Sequence, residues 1–432
     1  MRNLKRALSL ALAAIMLIGM MVVSASATGL DDFSDKDKVV NKDAVSMLVS
    51  LGIIEGKPDG SYAPTENVDR AQMAKMLSVI MNKGVDNSAL YQSVNSGLTD
   101  ITSHWAKGHI NYCYTTGIIA GRGNGKFDPA ATVTGNEAAK MLLVAAGYDA
   151  QLEGLTGADW AIKTASLAST LGIFDNLSVA TSDPLTRDNA ALLIYNALDI
   201  EMIQKYENGY AIAFTDHRTL LSAKYGVYKI EGVVVSNEEA ALNNTDSDFA
   251  SAKGKTTMEN VKVYASTTSN TTTGEYEEVK GQVVFNVSTT ADMLGKTVTM
   301  YIEKTTILSD SKVLGVSTKD DVNVINATAA TQSTVKDYLK GTGVAVTKGT
   351  EFYVNYGYCK TEEDAHNLIN DYSYAANNSD KFNLNGVDVE IIDNNNDGDA
   401  EYVLFTRETL SEVRTYSEKN ETISFYAPGY DK

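Results

Sequence analysis

Two arginines stand where a helix start could bind an anion. Arg70 in "VDRAQMAKML" (68–77) and Arg187 in "LTRDNAALLI" (185–194) each follow a residue that can cap a helix. A cation at the first helical position opposes the helix dipole, at a cost of roughly a few tenths of a kcal/mol. Free backbone N–H groups and a guanidinium together, however, can hold an anion. The pattern favours an anion site, and a solvated surface arginine is the alternative.

A third helix start, "VTGNEAAKML" (133–142), has a glycine at the arginine position. Thr134 and Glu137 form a T-x-x-E capping box, in which each side chain satisfies a free backbone N–H. Capping explains these two residues without a ligand, and Gly135 marks the loss of the charged group. We therefore expect this helix start to be structural only.

An acidic loop near the C-terminus, "DNNNDGDAE" (393–401), could hold calcium. It follows the D-x-[DN]-x-[DN]-G order of a calcium loop, although Leu404 stands where the bidentate acid is expected. A metal-free turn of good turn-forming residues is the alternative. The candidate ligands are Asp393, Asn395, Asp397, Asp399 and Glu401.

Repeated sequence surrounds the helix starts. Residues 98–142 align without gaps on residues 33–77, and a looser third copy with a loop three residues shorter covers 159–198. Each copy predicts a helix that ends near a glycine, a polar loop and a second amphipathic helix. One helix pair cannot bury its apolar face alone, so the three copies should pack together.

The second half of the chain has a different pattern. From about residue 205 the composition changes to Thr, Val, Tyr, Asn and Asp in alternating stretches, which indicate β-strands separated by polar turns. Short helical segments at 331–339 and 361–371 interrupt the strands. One or two small β-barrel or sandwich modules fit this pattern, with a break near 345–350.

Composition and motifs exclude several classes of protein. The 432-residue chain has a net charge of −18 at pH 7, which argues against nucleic acid as a partner. Residues 1–27 are typical of a secretory signal, with a retained membrane anchor as the alternative. Cys113 and Cys359 are expected to be separate thiols rather than one long-range disulfide. The sequence contains no H-E-x-x-H, G-x-S-x-G or phosphate-loop motif that would support an enzyme.

The repeated motifs resemble the S-layer homology repeat. The resemblance rests on the F-x-D start at Phe33, the HWA and DWA tripeptides, GIIAG, the GKFDP loop and the TRAE-like box, and it covers about 30–200 in three copies. Proteins of this family are anchored non-covalently to the bacterial cell wall. The resemblance implies an all-α, pseudo-threefold bundle whose inter-repeat grooves bind pyruvylated secondary cell-wall polysaccharide.

Position by position, the resemblance also implies a set of ligand residues. Arginine can hold the pyruvyl carboxylate in bidentate fashion, and an indole face can stack on a sugar ring, with a core role for the tryptophans as the alternative. The implied polysaccharide-binding residues are Arg70, Arg187, Trp105, Trp160, Asp35 and Asp100. The sequence departs from the family pattern at Val40, Gly135, Leu155 and Asn189. We expect fewer than three competent grooves, with Arg70 and Trp105 as the only intact set.

Together these observations predict a multidomain protein, secreted and held at the cell wall. The expected parts are a signal peptide (1–27), S-layer homology repeats (28–84, 95–148 and 155–200) and β-rich modules (205–345 and 350–432). The bundle of repeats would bind secondary cell-wall polysaccharide, and the β-rich half would contact itself or other S-layer proteins. Calcium is the candidate cofactor, and no membrane partner is expected once the signal is removed. A wall-anchored, glycoside-active hydrolase with its site in 205–432 is the alternative.

Overall fold

A computed structural model describes most of the chain after the predicted signal. The described residues are 30–242, 250–264, 276–327, 335–371, 387–406, 412–420 and 422–426. The predicted signal peptide, residues 1–27, lies outside them. Within the described ranges, every helix is too short or too polar to cross a membrane.

Three helix pairs build the N-terminal half. They are unit 1 with α1 (Lys42–Ser50) and α2 (Arg70–Met81), unit 2 with α3 (Lys107–Thr115) and α4 (Gly135–Ala145), and unit 3 with α5 (Trp160–Thr170) and α6 (Arg187–Leu198). The second helices begin at Arg70, Gly135 and Arg187, which confirms the predicted first helical positions.

The three units close into a ring. The second helix of each unit packs on the first helix of the next, which defines junction 1–2 (α2 with α3), junction 2–3 (α4 with α5) and junction 3–1 (α6 with α1). Hydrogen bonds just before the second helices run around the same ring. Val68 N–H donates to Leu185 O, Leu185 N–H to Val133 O, and Val133 N–H to Val68 O. This cyclic order confirms the predicted pseudo-threefold bundle.

One hydrophobic core fills the ring and continues into the β-rich half. Leu77, Leu142 and Leu193 of the second helices are fully buried in it, and Tyr301 and Leu314 of the following sheet belong to the same cluster. Complete burial of such a side chain stabilises the fold by about 1.5–3 kcal/mol. The ring and the sheet are therefore held together by shared apolar contacts.

The described part of the β-rich half contains strands of three to ten residues and three further α-helices. The strands are β1 (Ile203–Glu207), β2 (Tyr210–Ala213), β3 (Val227–Ser236), β4 (Thr256–Tyr264), β5 (Tyr276–Val279), β6 (Val283–Phe285), β7 (Thr297–Glu303), β8 (Lys312–Thr318), β9 (Asn323–Ala327), β10 (Ala345–Val354), β11 (Gly357–Cys359), β12 (Asp388–Asp393), β13 (Asp399–Thr406), β14 (Glu412–Ser417) and β15 (Thr422–Tyr426). The helices are α7 (Leu220–Tyr225), α8 (Val335–Leu339) and α9 (Glu362–Asp371).

Two open sheets organise eleven of these strands, and the pairs β1-β2 and β14-β15 form separate two-stranded sheets. The first has the order β5-β4-β3-β7-β8 with β6 also paired to β4, and the second has the order β11-β10-β13-β12-β9. Within the second sheet β10 and β13 are parallel, and the other neighbours are antiparallel. Among the described strands neither sheet closes on itself, so of the two predicted alternatives, barrel and sandwich, the barrel is wrong. A prediction from alternation alone misses this, because the same alternation serves open and closed sheets.

The second sheet separates two cores. Tyr353, Tyr402 and Leu404 join the core of the first sheet, whereas Phe352 and Val403 pack with α8 and α9 on the opposite face. Successive side chains of a strand point to opposite faces, which explains this alternation.

The sheets divide the chain earlier than the expected break at 345–350. That segment lies at the start of β10, and the second sheet already includes β9. The change of sheet therefore falls between Thr318 and Asn323. Both cysteines are buried free thiols, as predicted.

Candidate functional site

Each second helix begins with a capped turn. The first two caps are reciprocal boxes, and in the third a threonine hydroxyl accepts the backbone N–H at the same spacing. The pairs are Asp69 with Gln72, Thr134 with Glu137, and Thr186 with Asn189. The capping pattern read from the sequence is thus present in all three units.

The N–H groups of the first two residues of each second helix donate to the loop of the following unit. Their acceptors are loop carbonyls at 2.7–3.3 Å. The donors and acceptors are Arg70 to Ala131, Ala71 to Pro129, Gly135 to Asp183, Asn136 to Thr181, Arg187 to Glu66, and Asp188 to Pro64. These N–H groups are therefore not available to an anion. The expectation that free helix N–H groups form half of an anion site is not met.

Arg70 extends into the loop of unit 2 and is only 4% exposed. Its Nε donates to Phe127 O at 2.9 Å and its Nη2 to Ala120 O at 2.8 Å. The guanidinium carbon lies 4.4 Å from the centre of the Phe127 ring, within the range of a cation–π contact. Burial lowers the pKa of Arg70, although an arginine remains charged in proteins. One of the guanidinium edges that could grip a carboxylate is therefore occupied.

Arg187 repeats this arrangement between units 3 and 1. Its Nε donates to Tyr62 O at 2.7 Å and its Nη2 to Glu55 O at 2.9 Å. The guanidinium carbon lies 4.8 Å from the centre of the Tyr62 ring. Unlike Arg70, Arg187 is half-buried. Both helix-start arginines thus hold the loop of the following unit.

Gly135 meets a different loop at junction 2–3. A Cβ at this position would lie 2.9 Å from Thr181 O and 3.0 Å from Thr181 Cα, which is too close for a side chain. The loop of unit 3 is three residues shorter than the other two. The glycine is therefore explained by the close approach of the shortened loop.

The two predicted tryptophans differ in environment. Trp105 is 56% exposed, and its ring centre lies 6.3 Å from that of His109 on α3. Trp160 is half-buried, with Lys140 Nζ 5.4 Å from its ring centre. Val40, at the corresponding place in unit 1, is 82% exposed. Trp105 is therefore not a core residue, and it precedes the helix that packs on α2.

The two predicted aspartates fix the loops of their own units. Asp35 accepts the N–H groups of Tyr62 and Ala63 at 2.7 and 2.9 Å. Asp100 accepts those of Phe127 and Asp128 at 2.9 and 2.7 Å. Partial burial raises the pKa of each carboxyl. The hydrogen bonds from the backbone N–H groups together lower it by more, so both pKa values fall below the usual range. The loops of units 1 and 2 are therefore each held from within by an aspartate and from outside by an arginine.

A buried polar pair at junction 3–1 was missed from the sequence. Asp188, 6% exposed, accepts the side-chain amide of Asn41 at 2.7 Å and its backbone N–H at 3.2 Å. Burial raises the pKa of Asp188, whereas the Asn41 donors lower it. The signal was present in the repeat alignment, because Ala106 and Ala71 stand at the corresponding positions of junction 1–2.

A second polar contact, at junction 1–2, was also missed. His109 is 4% exposed, and its Nδ1 lies 2.6 Å from Ser78 Oγ on α2. Its Nε2 lies 3.6 Å from a carboxylate oxygen of Asp86. Burial lowers the pKa of His109, and the Asp86 charge partly offsets that effect. The imidazole links units 1 and 2 beneath Trp105.

Junction 3–1 borders a cleft of about 1120 Å³ between the ring and the first sheet. Eight carboxylates and three lysines line it. Lys229 lies between Asp199 and Glu231, with nitrogen–oxygen distances of 3.5 and 3.6 Å. Val40 lies at the edge of this acidic cleft, where the other junctions have a tryptophan. The charge makes this junction the least suited to an anionic ligand.

The acidic loop between β12 and β13 brings three of the five predicted metal ligands together. Oxygens of Asp393, Asp397 and Glu401 lie within 4.8 Å of one another, and Asp393 is buried. Asn395 and Asp399 are exposed, and Asp399 is not part of this group. Burial raises the pKa of Glu401, and the neighbouring carboxylates of Asp393 and Asp397 raise it further. A cation would relieve this repulsion.

A ring of capped two-helix units with an exposed tryptophan at junction 1–2 defines a repeat domain suited to binding at its surface. Residues 32–74 and 97–139, which span most of units 1 and 2, match the S-layer homology domain. The resemblance stated from the sequence is thus confirmed for two of its three copies.

Similar proteins belong to bacterial surfaces. The chain is 30% identical over 211 residues to a cell surface protein of Thermoanaerobacter kivui. This alignment covers 48% of this chain and 26% of the relative. It is 29% identical over 230 residues to an S-layer protein of Bacillus licheniformis, covering 49% and 25%. It is 25% identical over 334 residues to the S-layer protein sap of Bacillus anthracis, covering 72% and 36%. These matches support a location at the cell-wall surface.

The first two of these alignments reach only about a quarter of the length of each relative. The alignment to the sap protein covers more of this chain than the helical ring contains, so it extends into the β-rich half.

Proposed function

We propose that the helical ring anchors this chain non-covalently to secondary cell-wall polysaccharide. The observation that carries the proposal is the 56% exposure of Trp105 at junction 1–2, within the part of the chain that matches the S-layer homology domain. An exposed indole presents a large, rigid apolar face on which a sugar ring can stack. A fold that only needed a core residue would bury it.

The proposal includes unit 3 as a third S-layer homology repeat. Its second helix starts with a threonine cap followed by Arg187, and that arginine holds the loop of unit 1 as Arg70 holds the loop of unit 2. Unit 3 also supplies the carbonyl of Leu185 that completes the hydrogen-bonded ring. These contacts support a third copy whose loop has shortened.

The six predicted ligand residues then divide into two roles. Trp105 and Trp160 contact the sugar. Arg70 and Arg187 supply positive charge for a pyruvylated polymer, and with Asp35 and Asp100 they position the loops beside the grooves. This division follows from the contacts, because both guanidinium groups donate to loop carbonyls whereas Trp105 is exposed.

Sedimentation with purified cell-wall sacculi tests the anchoring proposal. We expect the full chain to pellet with sacculi that carry the secondary polymer and to stay in the supernatant once that polymer has been stripped. Equal pelleting with both preparations would contradict polymer binding. Serum albumin in the same tubes controls for trapping.

We further propose that the β-rich half is displayed as an S-layer or interaction region, not as a hydrolase. The 334-residue alignment to an S-layer protein supports this assignment. A glycosidase would need two carboxylates free to act in a pocket. The carboxylates of Glu259 and Glu351 accept the hydroxyls of Tyr402 and Tyr353 at 3.3 and 2.5 Å, so both are already hydrogen-bonded. Release of reducing sugar from wall glycans by wild type, and its loss in Glu259→Gln, would favour the hydrolase instead.

We also propose that the loop at 393–401 binds calcium through Asp393, Asp397 and Glu401. Carboxylate oxygens are the ligands that calcium prefers, and the three lie close enough to share one ion. Calcium would neutralise their repulsion and stiffen the loop. Asn394 in that loop accepts Thr297 N–H and donates to Gly295 O, so a stiffer loop would also steady the contact between the sheets.

A calcium titration followed by thermal unfolding tests the loop. Extracellular calcium modules bind at about 10⁻⁴–10⁻³ M, so millimolar calcium should raise the midpoint by a few degrees. Asp397→Asn should abolish most of the rise, whereas Asp321→Asn, a surface control outside the loop, should leave it. An equal rise of the unfolding midpoint in both variants would contradict calcium binding at this loop.

A further inference from the structure

Two residues recur at each junction, one on the second helix of a unit and one before or at the start of the next helix. In junction order they are Lys75 with Trp105, Lys140 with Trp160, and Leu192 with Val40. The first two junctions thus offer a cation and an aromatic face, whereas the third offers two aliphatic side chains. These positions vary together, although they are far apart in sequence.

The two lysines have different partners. Lys75 Nζ lies 3.0 Å from a carboxylate oxygen of Glu55, which neutralises its charge. The position of Glu55 is occupied in unit 2 by Ala120. Among the residues that the structure describes, no carboxylate forms an ion pair with Lys140, whose Nζ lies 5.4 Å from the Trp160 ring centre. Junction 2–3 therefore holds an unneutralised ammonium group beside an indole.

An ammonium group in this position is unfavourable without an anion. Lys140 is half-buried, and burial lowers its pKa because it disfavours the charged form. The contact with Trp160 offsets only part of that cost, since a single cation–π contact at a partly exposed site is weak. The missing partner at junction 2–3 points to a ligand that brings its own negative charge.

We propose that Lys140 and Trp160 form a binding site for an anionic saccharide, in which Lys140 pairs with the acidic group and Trp160 contacts the sugar ring. The proposal rests on the anchoring function above and names its second site. Lys140 then supplies the cation that Gly135 cannot supply at the helix start. Two occupied junctions on one ring would bind a repeating polymer with higher avidity than either alone.

Full-chain variants in the sacculus assay test the site. Lys140→Met removes the charge at similar length, Lys140→Arg retains it, and Ala120→Glu introduces the acid that neutralises Lys75 in unit 1. Lys348→Met makes the same charge change on an exposed strand residue of the β-rich half. We expect Lys140→Met and Ala120→Glu each to weaken binding at least threefold. Lys140→Arg and Lys348→Met should remain within about 1.5-fold of wild type.

The combination of the two weakening changes adds an internal check. If the introduced glutamate acts by neutralising Lys140, the double variant should bind no more weakly than Lys140→Met. Unfolding midpoints of all variants are measured beside binding, and Ala120→Glu keeps the test decisive if Lys140→Met folds poorly. Polymer-dependent pelleting of wild type with unchanged binding of both Lys140→Met and Ala120→Glu would overturn this site alone. Loss of polymer dependence in wild type would overturn the anchoring function and this site together.

Discussion

Junctions 1–2 and 2–3 show two ways of packing the same helix start against a neighbouring loop. At junction 1–2 the loop is long, and Arg70 fills the space beneath it by donating to Phe127 O and Ala120 O. At junction 2–3 the loop is three residues shorter, and Gly135 lets it approach until a Cβ would lie 2.9 Å from Thr181 O. The caps and the backbone hydrogen bonds to the loop are the same in both.

The difference shows that residue type at the helix start and loop length in the next unit depend on each other. The arginine is first a structural group, because two of its nitrogens donate to carbonyls of the neighbouring loop. At junction 2–3, where Gly135 replaces the arginine, the charge available to a ligand must come from another position. This comparison leads to four predictions, in order of decreasing expected effect.

Replacement of Arg70 by alanine should have the largest effect on stability. The change removes two charge-assisted hydrogen bonds and the contact with Phe127, and it leaves two carbonyls without donors. We expect a loss of about 2–4 kcal/mol in the free energy of unfolding, measured by urea denaturation. Arg187→Ala should lower the free energy of unfolding by less, because Arg187 is only half-buried. An equal or larger loss for Arg187→Ala would contradict the comparison.

Replacement of Gly135 by alanine should also destabilise the protein. Helix propensity alone predicts a gain of about 1 kcal/mol, but the contact with Thr181 should turn this into a net loss of about 1–3 kcal/mol. Gly349→Ala, where the nearest atom to a Cβ is 3.7 Å away, is the control and should be tolerated. Three residues inserted before Thr181 should reduce the loss from Gly135→Ala, and an unchanged loss would mean that the loop is not its cause.

Replacement of Asp100 by asparagine should loosen the loop that Arg70 holds. The carboxylate accepts Phe127 N–H and Asp128 N–H, and an amide oxygen would replace it less strongly, at a cost of about 1 kcal/mol. The pKa of Asp100 is lowered in the folded state, so its contribution is present above pH 4 and is lost as the pH falls below that value. The pH dependence of unfolding below pH 4 should therefore be weaker in Asp100→Asn than in wild type.

The smallest expected effect is the pH dependence of the contact between His109 and Ser78. Because burial lowers the pKa of His109 below its usual 6.5, the unfolded chain binds a proton more readily than the folded chain. The stabilising contribution is present above pH 6.5 and declines as the pH falls below it. The unfolding midpoint of wild type should drop between pH 7 and pH 5 more than that of His109→Gln. An equal change of the midpoint with pH in the two proteins would contradict this role of His109.

Local features of the fold could be predicted from the sequence, and long-range ones could not. The first residues of α2, α4 and α6 follow from capping, and the strand predicted at 227–236 coincides with β3, because these patterns act over a few residues. The acceptors of the Arg70 side chain lie 50 and 57 residues away, so no local pattern reveals them. The order of strands in the open sheets could not be predicted for the same reason, since β10 pairs with β13 across two intervening strands and a helix.

Part of the candidate site could also be predicted from the sequence. Alignment of the copies identified Trp105 and the absence of an arginine at 135, but exposure separates the tryptophan that can meet a ligand from the arginine that is buried. Asn41 and Asp188 replace alanines of junction 1–2, yet only the ring shows that the two changes belong to one contact.

The central claim is that the arginines hold the ring while the exposed tryptophan holds the polymer. Binding to sacculi and the unfolding midpoint, both measured on full-chain Trp105→Ala, test it most directly. We expect binding to fall at least fivefold with the midpoint unchanged within about 2 °C, because an exposed side chain contributes little to the core. Unchanged binding, or a midpoint that falls together with binding, would contradict the claim.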